Sequence, residues 1–220
     1  MKNKGVIASI FMVIITAAYT AAVLRVDVQP IGPSGTEVGL ATFNDMCQKI
    51  IGVNFTYYRI AELLGLVVLG VFALFALMGL IQLIKRRNLL KVDKNILVLG
   101  GMYLIMFTIY VLFEKVVVNY RPVIMPGETM PEASFPSSHT MMAIVVAVGT
   151  MMQLKYYVKR KSAKVFLMFD LIVLMMMTVA ARILSGAHWA SDIIAGILIA
   201  LTLISLYCAV LTGVKNAAKH

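Results

Sequence analysis

Long apolar runs, separated by short polar segments, dominate the pattern of this chain. Six of these runs are about as long as the ~20 residues that an α-helix needs to cross a bilayer. The polar segments between them carry most of the charged residues. The pattern therefore predicts an all-α, polytopic membrane protein with six transmembrane helices in a single domain, 1–220, the spans covering residues 5–25, 60–84, 95–118, 138–155, 163–183 and 188–212.

The first run follows a short basic start, as the apolar core of a secretory signal peptide also does. The run from Gly5 to Leu24 exceeds the roughly 7–15 residues of such a core. We therefore expect an uncleaved first span. Residues 37–52 have a different pattern, with apolar residues at helical spacing between polar ones, and predict a short amphipathic helix that lies at a lipid entrance or simply packs as part of a loop. The apolar positions are Phe43, Met46, Cys47, Ile50 and Ile51.

The distribution of lysine and arginine predicts the orientation in the membrane. If the six spans alternate, four segments rich in these residues share one side: residues 2–4, 85–94, 155–164 and 215–219. The positive-inside rule makes that side the cytoplasm, so both termini are predicted to be cytoplasmic in a cytoplasmic (inner) membrane. The net charge of +10 would also suit nucleic acid, but basic clusters between apolar runs are typical of membrane loops, and no nucleic-acid partner is predicted.

Ionisable residues collect at the predicted outer ends of the third to sixth spans. Such groups are costly at membrane depth and are usually functional or paired. Two of them, His188 and Asp192, are spaced i, i+4 and share one side of the last helix. We therefore expect a catalytic site at the outer ends of helices three to six, formed by Lys115, Arg121, His139, Arg182, His188 and Asp192.

Three cations near a helix N-terminus suit a phosphate group, because its oxygens accept charge-assisted hydrogen bonds. The amides of Ser137 and Ser138 begin the fourth span and are further donors. One histidine would attack phosphorus and the other would protonate the departing oxygen. Each residue alone also has a structural alternative: a histidine or Asp192 capping a helix, or a long cation reaching the headgroups. The third histidine, His220, is terminal.

Three motifs in this region resemble those of the type 2 phosphatidic acid phosphatase superfamily. They are KVVVNYRP (115–122), PSSH (136–139) and ARILSGAHWASD (181–192). The family pattern has six residues between its lysine and arginine, whereas five separate Lys115 from Arg121. Ser138 stands where the family has glycine, and Ala181 stands where it has serine.

The resemblance implies a role for each residue. His188 would form a phosphohistidine, with Asp192 accepting a hydrogen bond from its other ring nitrogen, and His139 would act as general acid and then as general base. Lys115, Arg121, Arg182, Ser137 and Ser138 would hold the phosphoryl oxygens. No metal ion and no cofactor is implied, and the sequence has no acidic cluster of the kind that holds magnesium.

The implied function is a metal-independent lipid phosphate phosphatase with a membrane lipid as its partner. Undecaprenyl diphosphate is favoured because the site is expected to face outward; phosphatidylglycerophosphate and phosphatidic acid are alternatives, as is a non-catalytic lipid-binding relative. The oligomeric state is left open. Glu62 and Glu114 are expected to be structural, pairing with Arg59 or Lys115, and Asp170 is expected to be buried between helices.

Overall fold

The computed structural model describes residues 2–217 and, within them, the side chains of residues 4–214. His220, predicted to be merely terminal, lies outside the described residues. The described chain folds into seven α-helices with two short 3₁₀ turns and two isolated β-bridges. The helices are α1 (Lys2–Arg25), α2 (Ala41–Ile51), α3 (Phe55–Arg86), α4 (Lys94–Lys115), α5 (Ser138–Tyr157), α6 (Lys161–Ser185) and α7 (Ala190–Ala217).

Five of these helices, α1, α3, α4, α6 and α7, are long and apolar enough to cross a membrane. Helix α5 is not among them. Half of its 20 residues are buried, including the polar Thr140, Thr150 and Gln153. A helix surrounded by protein accommodates such residues because they find hydrogen-bond partners there. The five helices account for five of the six predicted spans, and a crossing by α5 stays a prediction.

Helix α5 lies at the centre of the bundle and packs against α3, α6 and α7, while α1 packs along α7. Because lipid tails are as apolar as the side chains, close packing holds such helices together more than the hydrophobic effect does. Gly196 illustrates this: a Cβ atom there would lie 2.7 Å from the Ser137 carbonyl oxygen. A glycine at this position lets α7 approach the first turn of α5.

All the chemistry-bearing residues lie at one end of the bundle, which we call the site end. There α1, α4 and α6 finish, and α3, α5 and α7 begin. The predicted third span was expected to reach residue 118, but α4 ends at Lys115 and Val116 is no longer helical. The β-branched Val116, Val117 and Val118 favour extended backbone, and the chain then pairs Tyr120 with Ala133.

Helix α2 lies across the site end, within the segment predicted to be amphipathic. Its apolar Phe43, Met46 and Ile50 are exposed. Asn44, on the inner side, is fully buried, and its amide nitrogen donates to the Gly39 carbonyl and to the Ser191 hydroxyl, both at 2.8 Å. Its side-chain oxygen accepts from the Ser191 amide at 3.0 Å. These hydrogen bonds fix α2 to the first turn of α7.

The expectation for Asp170 is wrong. This residue lies on an exposed position of α6 rather than between helices. Nothing in the structure explains a carboxyl group there.

Replacing Asn44 with alanine should lower the free energy of unfolding by about 1–3 kcal/mol, because the buried Ser191 groups lose their partner. Thermal unfolding of the purified protein in detergent would measure this. Asn88→Ala is the matched control, since the Asn88 side chain is exposed and accepts only from the Leu90 amide. Equal losses in the two variants would contradict the role given to Asn44.

Candidate active site

His188 lies in the short connection between α6 and α7 and is buried. Its Nδ1 atom is 3.0 Å from the carbonyl oxygen of Ser134. A carbonyl only accepts hydrogen bonds, so Nδ1 carries the proton, and the Nε2 of the neutral ring keeps its lone pair. Nε2 lies 3.5 Å from Nη1 of Arg121. The geometry therefore presents Nε2 as a nucleophile beside a cation.

Asp192 does not accept the hydrogen bond that the resemblance implied. Its Oδ2 atom is 3.9 Å from His188 Nδ1, which is longer than a hydrogen bond. Instead, Oδ2 accepts from the Trp189 amide at 3.1 Å and Oδ1 accepts from the Asn119 side chain at 2.9 Å. The bond to Trp189 is one half of a capping box at the start of α7, in which the side chain at the third helical position accepts from the N-cap amide. Asp192 therefore holds the His188 segment in place, while Ser134 determines the tautomer of His188.

Arg182, near the end of α6, has a fully buried side chain. Its Nη2 atom lies 2.6 Å from both Glu62 Oε1 and His139 Nδ1. Because a guanidinium only donates, Nδ1 of His139 is the acceptor and the proton of its neutral ring is on Nε2. The Nε and Nη1 atoms of Arg182 are buried without a hydrogen-bond partner. Buried donors rarely stay unpaired, so these N–H groups are suited to an anionic ligand.

Arg121 follows α4 in an extended segment. Its Nε atom is 2.9 Å from Glu132 Oε2, and its amide donates to the Glu132 carbonyl at 2.9 Å. The Ser134 amide likewise donates to the Asn119 carbonyl at 2.9 Å. This short antiparallel pairing of 119–121 with 132–134 brings the Arg121 guanidinium and the Ser134 carbonyl to opposite nitrogens of the His188 ring.

The two serines of the PSSH motif have different surroundings. Ser138, at the first position of α5, lines the site together with His139. Ser137 is fully buried, its hydroxyl pairs with that of Thr140 at 3.0 Å, and its amide donates to the Asp192 carbonyl. Ser137 thus joins α5 to α7 and leaves neither group free for a ligand.

Lys115 is not brought to the site. It is exposed at the end of α4, and Glu114 rather than Lys115 lines the cavity beside His188. One residue turns a helix by about 100°, so the five-residue spacing to Arg121 places Glu114 on the side that the family pattern gives to its lysine. The structure therefore gathers Arg121, Ser138, His139, Arg182, His188 and Asp192, but not Lys115.

The polar site lies at the end of an apolar cavity. A small cavity of about 20 Å³ adjoins Arg121 and His188. A larger one of about 260 Å³, among α3, α4 and α5, ends at Ser138 and His139 and is otherwise mainly apolar. Such a combination fits an amphiphile with an anionic head. The apolar lining consists of Leu69, Phe72, Met106, Phe107, Tyr110, Met141 and Met142.

Two groups of residues at the site were not predicted from the sequence. Ser134 and Asn119 act through contacts that no local pattern predicts. Glu62 was expected to be structural, with Arg59 or Lys115 as a possible partner; its observed partner is Arg182, and it lies 3.5 Å from His139 Nε2. Tyr58, Glu62 and Gly65 share one face of α3, and the structure turns that face toward Arg182, which lies over the Tyr58 ring at 5.1 Å.

The surroundings of His188 keep its ring neutral. Burial lowers its pKa well below the ordinary value, and the positive charge of Arg121 lowers it further. A neutral imidazole at neutral pH is the form that can attack phosphorus. Among residues 4–214, no group of three or more His, Cys, Asp or Glu side chains is arranged to hold a metal ion.

The depressed pKa of His188 predicts a loss of stability in acid. Below the ordinary histidine pKa of about 6.5, this side chain binds a proton in the unfolded chain but not in the native site. The free energy of unfolding therefore falls by up to about 1.4 kcal/mol for each unit by which the pH is lowered. Thermal unfolding between pH 7.5 and 5 should show wild type losing stability relative to His188→Asn. A difference in stability between wild type and His188→Asn that stays constant over this pH range would contradict the depressed pKa of His188.

Comparisons with known proteins agree with the geometry. Residues 117–214 match the family model described as the PAP2 superfamily, a stretch that begins just after Lys115. A crystal structure described as that of the first transmembrane PAP2 type phosphatidylglycerolphosphate phosphatase from Bacillus subtilis has the same fold. Its TM-score is 0.63, at 15% identity, over 93% of this chain and 96% of that chain. No curated protein matches the sequence.

The motifs in 115–192, the site that they form and the family match agree with one another. Over residues 117–214 the chain is therefore similar to the PAP2 superfamily, and its fold and its five membrane-length helices are those of a multi-pass membrane protein of the PAP2 type.

Proposed function

We propose that this protein removes the terminal phosphate of a membrane lipid through a phosphohistidine on His188, without a metal ion. One observation carries the proposal: the lone pair of His188 Nε2 lies beside one arginine, while a second, buried arginine holds His139 and has unpartnered N–H groups. Nucleophile, proton donor and anion-binding cations are thus present together.

In the first step, His188 Nε2 forms a bond to phosphorus as the bond from phosphorus to the lipid oxygen breaks. His139 takes up a second proton when the substrate binds; as an imidazolium it gives its Nε2 proton to that departing oxygen and becomes neutral. The guanidiniums of Arg121 and Arg182 neutralise the charge on the phosphoryl oxygens, and Ser138 donates hydrogen bonds to them. His139 then takes a proton from a water molecule that attacks the phosphohistidine, which releases inorganic phosphate and restores both rings.

The apolar surroundings support a lipid as the substrate. The cavity that ends at His139 shares Phe72 and Phe107 with a further apolar groove of about 810 Å³ between α3 and α4. Together they offer a path for a hydrocarbon chain whose phosphate lies at the site end. We favour undecaprenyl diphosphate; phosphatidylglycerophosphate and phosphatidic acid are the alternatives. Retention of both histidines and both arginines disfavours a non-catalytic lipid-binding role.

We further propose that α5 is the sixth span and that the site faces outward. At 20 residues α5 is about 30 Å long, which equals the thickness of the hydrocarbon core. The basic segments 85–94 and 155–164 lie at the end of the bundle away from the site, and the positive-inside rule favours the cytoplasm for that end. An outward site suits a lipid phosphate released on the outer face.

The purified protein in detergent should release phosphate from at least one member of a panel of undecaprenyl diphosphate, phosphatidylglycerophosphate and phosphatidate, with chelator present. His188→Ala should lower kcat by roughly 10⁴-fold or more, and His220→Ala is the matched control. Dependence on added metal would overturn the metal-free mechanism. Lack of turnover on all three lipids would overturn the proposed activity.

Cysteine labelling of intact cells tests the orientation. In a background lacking Cys47 and Cys208, Pro126→Cys at the site end should react with a membrane-impermeant reagent from outside. Lys159→Cys at the opposite end should react only after permeabilisation. The reverse pattern would invert the proposed topology.

A further inference from the structure

Glu62 contacts two groups of the proposed mechanism but has no step in it. We infer that Glu62 is a positioning residue. Its carboxylate is an internal anion that pairs with Arg182 when no substrate is bound, and it orients the His139 ring by attracting the Nε2 proton. This inference rests on the proposed function, because it concerns how the same site binds phosphate and protonates the leaving oxygen.

The contacts define what Glu62 does to Arg182. The Nη2 atom of Arg182 has two protons and two partners at 2.6 Å, Glu62 Oε1 and His139 Nδ1. This nitrogen is therefore saturated by the protein itself, whereas Nε and Nη1 remain for the ligand. Glu62 thus determines which edge of the guanidinium faces the substrate.

The same carboxylate determines how His139 is oriented. Since Nδ1 accepts from Arg182 in the absence of substrate, the ring carries its proton on Nε2, and Nε2 lies 3.5 Å from Glu62 Oε1. With the site empty, Glu62 is the anionic group nearest to that proton. When substrate binds, the departing lipid oxygen takes over as its acceptor.

The charge of Glu62 has a second consequence. A phosphoryl group bound to Arg182 lies close to a carboxylate that shares the same guanidinium, so the two anions repel each other. The repulsion weakens the binding of inorganic phosphate and thereby favours release of the product. Glu132, paired with Arg121 at 2.9 Å, places a second carboxylate on the other cation.

Gly65 provides the room that this arrangement needs. It lies three residues after Glu62, on the same face of α3. A Cβ atom at position 65 would lie 2.6 Å from Cδ2 and 2.8 Å from Nε2 of His139. An alanine would therefore push the imidazole out of its place beside Glu62 and leave the pair between Glu62 and Arg182 intact.

Inorganic phosphate binding tests the charge. Trp189, the only tryptophan of the chain and the neighbour of His188, provides an intrinsic fluorescence signal for titration. Glu62→Gln should bind phosphate roughly tenfold more tightly, since the repulsion is removed, while kcat on the lipid falls by roughly tenfold or more. Glu37→Gln, an exposed carboxylate at the site end, is the control for both readouts. A merely structural role would weaken binding and catalysis together.

Gly65→Ala tests whether catalysis needs the orientation of His139 beside Glu62. It also tests the role of Glu62 if Glu62→Gln does not fold. Its kcat should fall by roughly tenfold or more, while the phosphate Kd stays within about twofold of wild type. Gly70→Ala is the matched control, because nothing lies within 4 Å of a Cβ atom there.

The outcomes separate this inference from the proposed function. Unchanged or weaker phosphate binding in Glu62→Gln, or an unchanged kcat in Glu62→Gln or Gly65→Ala, would overturn the role of Glu62. These results would leave the activity itself standing wherever His188→Ala is inactive. If no lipid is turned over, the phosphate titration still tests the internal anion, because binding needs no catalysis.

Discussion

The structure of the site depends on one constraint, the burial of the Arg182 guanidinium within a bundle of apolar helices. An unpaired buried charge costs several kcal/mol, so its surroundings must supply partners. α3 contributes Glu62 and the face of Tyr58, and α5 contributes His139. These contacts bring three helices together around one side chain. They are still incomplete, because two of the guanidinium nitrogens have no hydrogen-bond partner. Those two nitrogens are the ones that the proposed mechanism assigns to the phosphoryl oxygens.

A second set of contacts fixes His188 independently of Arg182. The Ser134 carbonyl selects its tautomer, the antiparallel pairing of 119–121 with 132–134 holds that carbonyl, and Asp192 caps α7 beneath it. Because these contacts are mainly to the backbone, the His188 ring is oriented by the course of the chain. Asp192 contributes as a helix cap more directly than as a partner of the histidine ring.

The apolar side of the site follows from uneven packing among the helices. Helix α5 is enclosed by its neighbours, whereas α3 and α4 enclose apolar cavities that extend from His139 toward the opposite end of the bundle. The enclosed helix can tolerate polar residues such as Gln153, and it places Ser138 and His139 rigidly. The open side between α3 and α4 is where a lipid would have room.

The sequence by itself determined the apolar helices, the amphipathic segment and the collection of ionisable residues at one end of the bundle. Run length, helical spacing and motif order are local properties, and these features depend on nothing else. Only the tertiary structure decided which side of α4 faces the site, which ring nitrogen of each histidine is protonated, and that Glu62 pairs with Arg182, 120 residues away. The same holds for the exposure of Asp170. Each of these depends on how distant segments of the chain, helices or the extended residues 119–121 and 132–134, are placed against each other. A one-residue change in register or spacing alters that placement without changing the apolar pattern.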